Sequence, residues 1–323
     1  MALRLVLILL LATPAHAELT RYWTGSIDDA RPRLHGPMLL LAGGGGDQTE
    51  AMQAAVNGIR GCGQCDTKID IVVLRASGAA GYNPYLMALE GVNSVVSMVI
   101  TDRESAMRPD VVRIVDTAEL VFFAGGDQCN YIRWIKGTPI EEAVERVFRR
   151  GGAIGGTSAG LAIQGEIVYD ACPSQSAKSS EVLLDPFHED VSLSRGFFEW
   201  PVMRDIITDT HFQQRDRLGR LLVFMGRVLA EGRDDRAIGL GVSERTLLLV
   251  DRRGIGTVYG DGPVHVIVAD QRPDVLERGR PLTLRRMKIW RFGKGEKVDL
   301  ARLPSSGGKP LEVVEGNVSP DPY

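Results

Sequence analysis

A serine lies among small residues at positions 154–160, where the chain reads Ile-Gly-Gly-Thr-Ser-Ala-Gly. The spacing of Gly156, Ser158 and Gly160 matches G-x-S-x-G, the pattern of a tight strand-to-helix turn that exposes a nucleophile. A serine hydroxyl is a weak nucleophile, so a hydrolase projects it toward both a base and a substrate carbonyl. The pattern therefore predicts that Ser158 is the nucleophile of a hydrolase, although the same small residues would also suit a flexible linker.

Such a serine needs a histidine that accepts its proton. We expect this base to be His211, because it follows an apolar strand-like pair and precedes a helical pattern. His188, in an acidic and loop-like stretch, is the second candidate. His35 and His265 are expected to be structural or surface residues.

An acid usually orients the histidine. We choose Glu244, because it lies between two strand-like runs and sheet packing would hold it in place. The alternative is an ordinary solvated pair of Glu244 and Arg245 at a turn.

The surrounding pattern predicts the elements that must position the serine. A capping box at 138–141 starts a helix that ends at Gly151, and a short strand then leads into the turn. Further buried strands are predicted at 37–42, 69–74, 95–100 and 120–124, with helical patterns between them. Apolar strands alternating with helices predict an α/β fold with a mostly parallel sheet, helices on both faces, and ligands at the carboxyl ends of the strands.

The pattern changes after about residue 235. Short strands at 246–250, 256–259 and 264–268 are separated by hairpin turn signals, and another strand is expected near 287–292. We predict that these strands are an antiparallel extension of the same sheet. Residues 18–303 would then form a single α/β domain. Residues 304–323, rich in proline, glycine and serine, predict an irregular tail.

A basic residue, Arg4, lies near the start of the chain, and a short apolar run and Ala-His-Ala at 15–17 follow it. This order is typical of a secretory signal peptide, so we expect residues 1–17 to be removed and the protein to be exported. The sequence does not decide between the periplasm and the outside of the cell. No later stretch approaches the ~18 apolar residues of a membrane span, so we expect none.

Composition argues against several partners. Lysine and arginine total 38 against 41 acidic residues, and no basic stripe interleaves with aromatics, so nucleic acid is not expected. The Gly-rich run at 43–46 could bind phosphate at a helix start, but it lacks the established nucleotide-binding patterns. No cofactor is expected.

The four cysteines allow three pairings in an exported protein. Cys62 and Cys65 form one C-x-x-C pair, but no second pair or nearby histidine completes a metal site. A local disulfide or free thiols are favoured there, and no metal is expected. The pairing of Cys129 and Cys172 stays open.

Four separated motifs resemble those of the cyanophycinases, a family of serine peptidases that also holds the aspartyl dipeptidases. They are Gly-Gly-Asp-Gln at 125–128, the serine turn at 156–160, Asp-Thr-His-Phe at 209–212 with three arginines after it, and Gly-Leu-Gly-Val-Ser-Glu at 239–244. The likeness extends to 76–85 and 291–300. It implies a fold similar to class I glutamine amidotransferases, a flavodoxin-like sandwich.

The resemblance implies a role for each matching residue. Ser158, His211 and Glu244 would be nucleophile, base and acid. Backbone N–H groups of Gly126, Asp127 and Ala159 would form the oxyanion hole. Substrate-binding residues would be Gln128, Asp209, Thr210, Arg215, Arg217 and Arg220.

The three arginines cannot share one helical face, and we expect Arg220 to form a structural ion pair instead. Thr210 stands where the family commonly has glutamine, which puts the substrate preference in question. Leu161 stands where alanine is common and is expected to adjust packing.

The resemblance implies that cyanophycin, a poly-aspartate with arginine on each β-carboxyl, is cleaved to β-Asp-Arg dipeptides through an acyl-enzyme. It also allows a homodimer. A related exported peptidase for Asp-X or isoaspartyl peptides is the first alternative. An inactive exported binding protein with the same fold is an alternative from another class.

Overall fold

The computed structural model describes residues 19–172, 175–232, 235–303, 306–321 and 323. The predicted signal peptide at 1–17 lies outside these residues. The strands are β1 (Arg21–Gly25), β2 (Met38–Ala42), β3 (Ile69–Arg75), β4 (Val92–Val99), β5 (Leu120–Phe123), β6 (Ala153–Thr157), β7 (Ile167–Tyr169), β8 (Leu193–Arg195), β9 (Ile206–Asp209), β10 (Ala237–Val242), β11 (Thr246–Val250), β12 (Ile255–Gly260), β13 (Val264–Ala269), β14 (Leu284–Phe292), β15 (Lys297–Asp299), β16 (Lys309–Val314) and β17 (Asn317–Ser319).

The helices alternate with the strands in the first two thirds of the chain. They are α1 (Thr49–Arg60), α2 (Asn83–Met87), α3 (Arg103–Met107), α4 (Pro109–Thr117), α5 (Gln128–Ile135), α6 (Pro139–Arg149), α7 (Ala159–Ala162), α8 (Ser179–Val182) and α9 (Leu218–Glu231), with a 3₁₀ turn at Pro201–Met203. Among the described residues, no helix is long and apolar enough to cross a membrane.

The first sheet has the strand order β1-β4-β3-β5-β6-β2-β11-β12-β15. Its centre, from β4 to β2, is parallel. Side chains of β2 alternate between two cores: Leu39 and Leu41 face the core that includes α6, whereas Leu40 and Ala42 face the core that includes α1. The predicted parallel sheet with helices on both faces is therefore confirmed.

A second sheet has the order β17-β16-β14-β13-β10-β9-β7-β8. The prediction of one extended sheet is wrong at this point, because β11, β12 and β15 continue the first sheet whereas the other C-terminal strands form a second one. After the turn that follows Gly260, the chain crosses over and β13 pairs with β10 instead. Hydrophobic periodicity identifies a strand but not its partner, which long-range packing chooses.

The prediction of an irregular tail at 304–323 is also wrong. Strands β16 and β17 extend the second sheet from β14, and Leu311 and Val313 are buried in its core. These two apolar residues alternate with polar ones, which is a strand period that the neighbouring glycines and prolines obscure. At the C-terminus, the hydroxyl of Tyr323 accepts a hydrogen bond from the N–H of Leu218 at 2.9 Å.

Local predictions around α6 and the cysteines had mixed outcomes. Helix α6 is present, but neither hydrogen bond of the predicted capping box is formed. The hydroxyl of Thr138 donates to the carbonyl of Ile135, and the Glu141 carboxylate accepts from the N–H of Gly137 instead of that of Thr138. Cys62 and Cys65 form the local disulfide, and Cys129 is joined to Cys172.

Candidate active site

Ser158 occupies the sharp turn between β6 and α7, with φ 54° and ψ −117°. This conformation is strained for a residue with a side chain and costs about 1–3 kcal/mol, so the surroundings must enforce it. The N–H of Ser158 donates to the carbonyl of Ala42 at 3.0 Å, and its carbonyl accepts from the N–H groups of Leu161 and Ala162 at 2.9 Å. The turn is therefore held from both sides.

The glycines of the pattern are required by space. A Cβ on Gly156 would lie 2.5 Å from the carbonyl oxygen of Phe123, and one on Gly160 would lie 2.0 Å from the same atom. Strand β5 thus packs against the turn with no room for a methyl group. The turn predicted from the spacing is present, and the flexible-linker alternative does not apply.

The His211 ring lies between Ser158 and Glu244. Its Nε2 is 2.8 Å from the Ser158 Oγ, and its Nδ1 is 2.7 Å from the Glu244 Oε1. One tautomer satisfies both contacts, in which Nδ1–H donates to the carboxylate and Nε2 accepts from the serine hydroxyl. The second candidate base, His188, lies in a loop beside Asp190, 3.5 Å away.

Two sheets contribute to this arrangement. Strands β9 and β10 are parallel neighbours in the second sheet, with Asp209 opposite Gly241, so His211 and Glu244 emerge from adjacent strand ends. Ser158 follows β6 in the first sheet. A hydrogen bond of 2.8 Å from the His211 N–H to the Gly43 carbonyl joins the two sheets directly beside the contact.

The loop of glycines at 43–46 packs against the side chains of His211 and Glu244. Sequence reasoning missed this role. A Cβ on Gly44 would lie 2.4 Å from the His211 Cε1, and one on Gly45 would lie 2.7 Å from the Glu244 Cβ. Both glycines have positive φ angles, 93° and 74°. Four glycines directly after a buried strand were the available signal, but they indicated a phosphate loop as readily as a close approach of side chains.

Glu244 is further held by a residue that the sequence did not single out. The N–H of Glu244 donates to the Gln214 side-chain carbonyl at 2.8 Å. The Arg215 Nε lies 3.8 Å from the Glu244 Oε1, and the arginine side chain is 53% exposed. The alternative of a solvated pair with Arg245 does not apply, because the carboxylate faces His211.

Burial lowers the pKa of His211 below its ordinary value of 6.5. The hydrogen bond to Glu244 acts in the opposite direction, and the positive charges of Arg215 and Arg217 add to the lowering. The ring is therefore neutral near pH 7 and can accept a proton, as a general base must.

The predicted oxyanion residues lie at the carboxyl ends of β5 and β6. A Cβ on Gly125 would lie 3.5 Å from the Ser158 Cβ, so the turn at 125–127 faces the serine. Gly126 has a φ of 146° and open space where a side chain would project. Asp127 caps α5, because its carboxylate accepts from the Cys129 N–H at 2.9 Å.

The structure corrects the prediction that Asp209 meets the substrate. Its side chain is only 2% exposed and is bound by Arg220, with Nε to Oδ2 at 2.7 Å and Nη2 to Oδ1 at 2.6 Å. Two buried charges need each other, since a lone buried ion would be very costly. The structural ion pair expected of Arg220 is therefore formed, and this removes Arg220 from the predicted substrate set as well.

Arg217 and Thr210 are also engaged with each other. The Arg217 Nη1 donates to the carbonyl and to the Oγ1 of Thr210, both at 3.0 Å, and the arginine side chain is 13% exposed. Of the six predicted substrate residues, Arg215 and Gln128 remain the more accessible. Gln128 is half-buried at the start of α5, with its Nε2 3.4 Å from the carbonyl of Tyr169.

One group in the described part of the chain has a geometry that could hold a metal ion: Glu181, His188 and Asp190. It does not include any residue of the Ser158 arrangement. Glu181 already pairs with Lys178 at 2.8 Å.

Comparison with known proteins gives consistent likenesses. The chain is 26% identical to the cyanophycinase of Synechococcus elongatus over 238 residues, which cover 72% of this chain and 68% of that protein. It is 25% identical to the cyanophycinase of a Nostoc species over 215 residues, 65% of this chain and 66% of that one. No family model matches the chain.

A solved structure shares the architecture. The crystal structure of a peptidase from an acI-B1 Actinobacterium aligns with a TM-score of 0.53 and 16% identity, covering 83% of this chain and 98% of that one. This likeness supports the fold. By sequence, the chain is similar to the cyanophycinases, and by fold it is similar to this peptidase.

Proposed function

We propose that the protein is a serine hydrolase that cleaves cyanophycin to β-Asp-Arg dipeptides, with Ser158 as nucleophile, His211 as general base and Glu244 as orienting acid. The observation that carries the proposal is the continuous contact from Ser158 Oγ to His211 Nε2 at 2.8 Å and from His211 Nδ1 to Glu244 Oε1 at 2.7 Å. The base lies between the nucleophile and the acid, which is the arrangement that activates a serine hydroxyl.

The reaction follows from these contacts. The Ser158 oxygen attacks a backbone carbonyl carbon of the poly-aspartate while His211 Nε2 takes the hydroxyl proton. The negative charge on the carbonyl oxygen is met by the N–H groups of Gly126 or Asp127 and of Ala159, and each such donor is worth roughly 3–4 kcal/mol of barrier. His211 then returns the proton to the leaving amine, which leaves an acyl-enzyme on Ser158.

Water completes the cycle. The same imidazole removes a proton from a water molecule, whose oxygen attacks the ester carbon, and Ser158 leaves with that proton. Throughout, Glu244 stabilises the protonated ring by accepting from Nδ1. The acid does not need to take the proton itself.

The substrate assignment is supported by the names of the sequence relatives and by the two accessible polar residues. Arg215 carries a forked set of donors suited to the carboxylates of cyanophycin. Gln128 can both donate and accept, and it lies at the start of α5 beside the proposed oxyanion donors. Thr210, in place of the family's usual glutamine, is held by Arg217 and is expected to alter subsite preference.

Export is part of the proposal. The leader pattern at 1–17 supports it, and so do two disulfides, which persist in oxidising compartments such as the periplasm or the extracellular space.

The proposal is tested by incubating the purified protein with insoluble cyanophycin and measuring the soluble products by mass spectrometry. Wild type should release β-Asp-Arg and Ser158→Ala should not. The exposed Ser180→Ala is the matched control and should behave as wild type. Release by Ser158→Ala would refute the nucleophile.

A second candidate is a peptidase for Asp-X or isoaspartyl peptides, which the departure at Thr210 favours. Turnover of α-Asp-X and β-Asp-X dipeptides without turnover of cyanophycin would select it. A serine-directed fluorophosphonate that fails to label Ser158 would instead indicate an inactive binding protein.

A further inference from the structure

The Cys129–Cys172 disulfide joins two parts of the chain that border the Ser158 arrangement. The cysteines are 43 residues apart in sequence, and their Cα atoms are 4.9 Å apart. Cys129 is the second residue of α5, two positions after Asp127, and it is 3% exposed. The cross-link therefore attaches to the helix that begins at the proposed oxyanion donors.

The residues around the partner cysteine, at 169–172 and 175–177, reach the other half of the site. At one end, Tyr169 accepts from Gln128 and its ring lies 4.9 Å below the Arg220 guanidinium. At the other end, the Arg220 Nη1 donates to the Ser176 Oγ at 2.8 Å and to the Ala177 carbonyl at 3.2 Å. Arg220 in turn holds Asp209, which ends β9 two residues before His211.

These contacts form a continuous path from the donor turn at 125–127, through the disulfide and Arg220, to Asp209 at the end of β9, the strand that leads to His211. Hydrogen bonds at the surface exchange with water, whereas a disulfide keeps two backbones close at all times. The weak contact of 3.4 Å between Gln128 and Tyr169 would not hold the helix start by itself.

We infer that the Cys129–Cys172 disulfide is a positioning element that keeps the donor turn at 125–127 aligned with Ser158 and His211. This inference rests on the proposed function. Donors act only when they lie at the place where the transition-state oxyanion develops, and a misplacement of ~1 Å can cost on the order of 10²-fold in rate. The effect falls on the chemical step more than on substrate binding.

The chain contains its own matched control. The Cys62–Cys65 disulfide closes a short loop after α1, at the amino end of β3 and so at the opposite edge of the first sheet from Ser158. Its neighbour is Arg60, whose Nη2 donates to the Cys65 carbonyl at 2.8 Å. Removal of the Cys62–Cys65 disulfide changes the cysteine content and the stability of the protein. It leaves the contacts between the donor turn at 125–127, Arg220 and Asp209 unchanged.

The experiment compares Cys129→Ser/Cys172→Ser with Cys62→Ser/Cys65→Ser. The readouts are kcat and KM on cyanophycin, the rate of Ser158 labelling by a fluorophosphonate, and the thermal unfolding midpoint. We expect the first variant to lose about tenfold or more in kcat and in labelling rate, with KM changed by less than about threefold. The second variant should keep both rates within about twofold of wild type.

A purely structural role would lower the unfolding midpoint and leave the rates of the folded protein unchanged. Equal labelling rates and equal kcat in the two folded variants would therefore overturn the inference. If the first variant does not fold, the Cys62→Ser/Cys65→Ser protein is reduced with dithiothreitol, so that its remaining disulfide opens. Rates should fall while circular dichroism stays unchanged, and reoxidation should restore them; full rates with two free thiols would overturn the inference.

The labelling assay separates this inference from the proposed function. Wild type that is neither labelled at Ser158 nor active on any tested peptide would overturn the proposed function, and this inference with it. A different result would overturn this inference alone. In that case Ser158 is labelled in the wild type, and it is labelled at the same rate in protein whose Cys129–Cys172 disulfide is reduced or substituted.

Discussion

Gly44 lies against the His211 ring so closely that a methyl group at this position would fall 2.4 Å from Cε1 and 2.6 Å from Nε2. The Nε2 atom is the one that contacts Ser158. The carbonyl of Gly44 also accepts from the Arg245 N–H at 2.7 Å, beside Glu244. The backbone of the glycine loop at 43–46 therefore restricts the position of the His211 imidazole.

Gly44→Ala should displace the ring or the loop and lower kcat on the order of 10²-fold, because small displacements of catalytic groups are costly. Its φ of 93° adds strain for any residue with a side chain. Gly81→Ala is the matched control, since no atom lies within 4 Å of the added Cβ. Steady-state kinetics of both variants measure the effect, and equal kcat values would show that Gly44 does not restrain His211.

Glu244→Gln should retain the fold and lower kcat by about 10²–10⁴-fold. The amide cannot stabilise a protonated ring, and its NH₂ group can turn toward Nδ1 and favour the wrong tautomer. The exposed Glu312→Gln, on β16, is the control. A Glu244→Gln enzyme with wild-type kcat would exclude this carboxylate from the mechanism.

The pH profile should report the lowered pKa of His211. Activity requires the neutral ring, so kcat/KM should fall on the acid side with a midpoint below 6.5. The Arg215 charge contributes to the lowering, and Arg215→Ala should therefore move that midpoint to higher pH. Kinetics between about pH 4 and pH 8 test this, and a midpoint that moves to lower pH in the variant would contradict it.

His265 should make the protein less stable in acid. Its ring nitrogens are buried without a hydrogen-bond partner in the described residues, and burial lowers its pKa to about 4. The unfolded chain binds the proton near pH 6.5, so stability present above this pH is lost as pH falls toward the folded pKa. Phe212 and Tyr323 pack on the ring, at 5.4 and 6.0 Å, and Arg291 is the charge that faces it.

We expect His265→Leu to lose less stability than wild type between about pH 7 and pH 5, where the wild-type imidazole would begin to take up a proton on unfolding. Urea unfolding at both pH values measures the difference. An identical pH dependence in the two proteins would assign the acid sensitivity to other groups.

Asp209→Asn should destabilise the fold by about 3–5 kcal/mol, because it leaves the buried Arg220 guanidinium without its counter-charge. Arg253→Ala is the contrast: this pair with Asp251 has an arginine that is 74% exposed, so its loss should cost no more than about 1 kcal/mol. Chemical denaturation compares the two. Equal small losses would mean that water reaches Arg220.

The sequence by itself determined much of the local chemistry. The spacing around Ser158 predicted the turn, because only glycine fits where β5 packs against it. The apolar strands predicted the parallel sheet, since residues buried on both faces need no alternation. His211 and Glu244 were chosen with the help of the family resemblance, and the structure brings both of them to Ser158.

The tertiary structure alone decided which charges face the substrate and which are buried in pairs. Asp209 and Arg220 are 11 residues apart, and nothing in their local sequence shows that a strand end and a helix face enclose both of them. It also decided that β13 joins the second sheet, that residues 309–314 and 317–319 are strands, and that the glycine loop supports the histidine. Each of these depends on contacts between distant segments, which local propensity and periodicity do not encode.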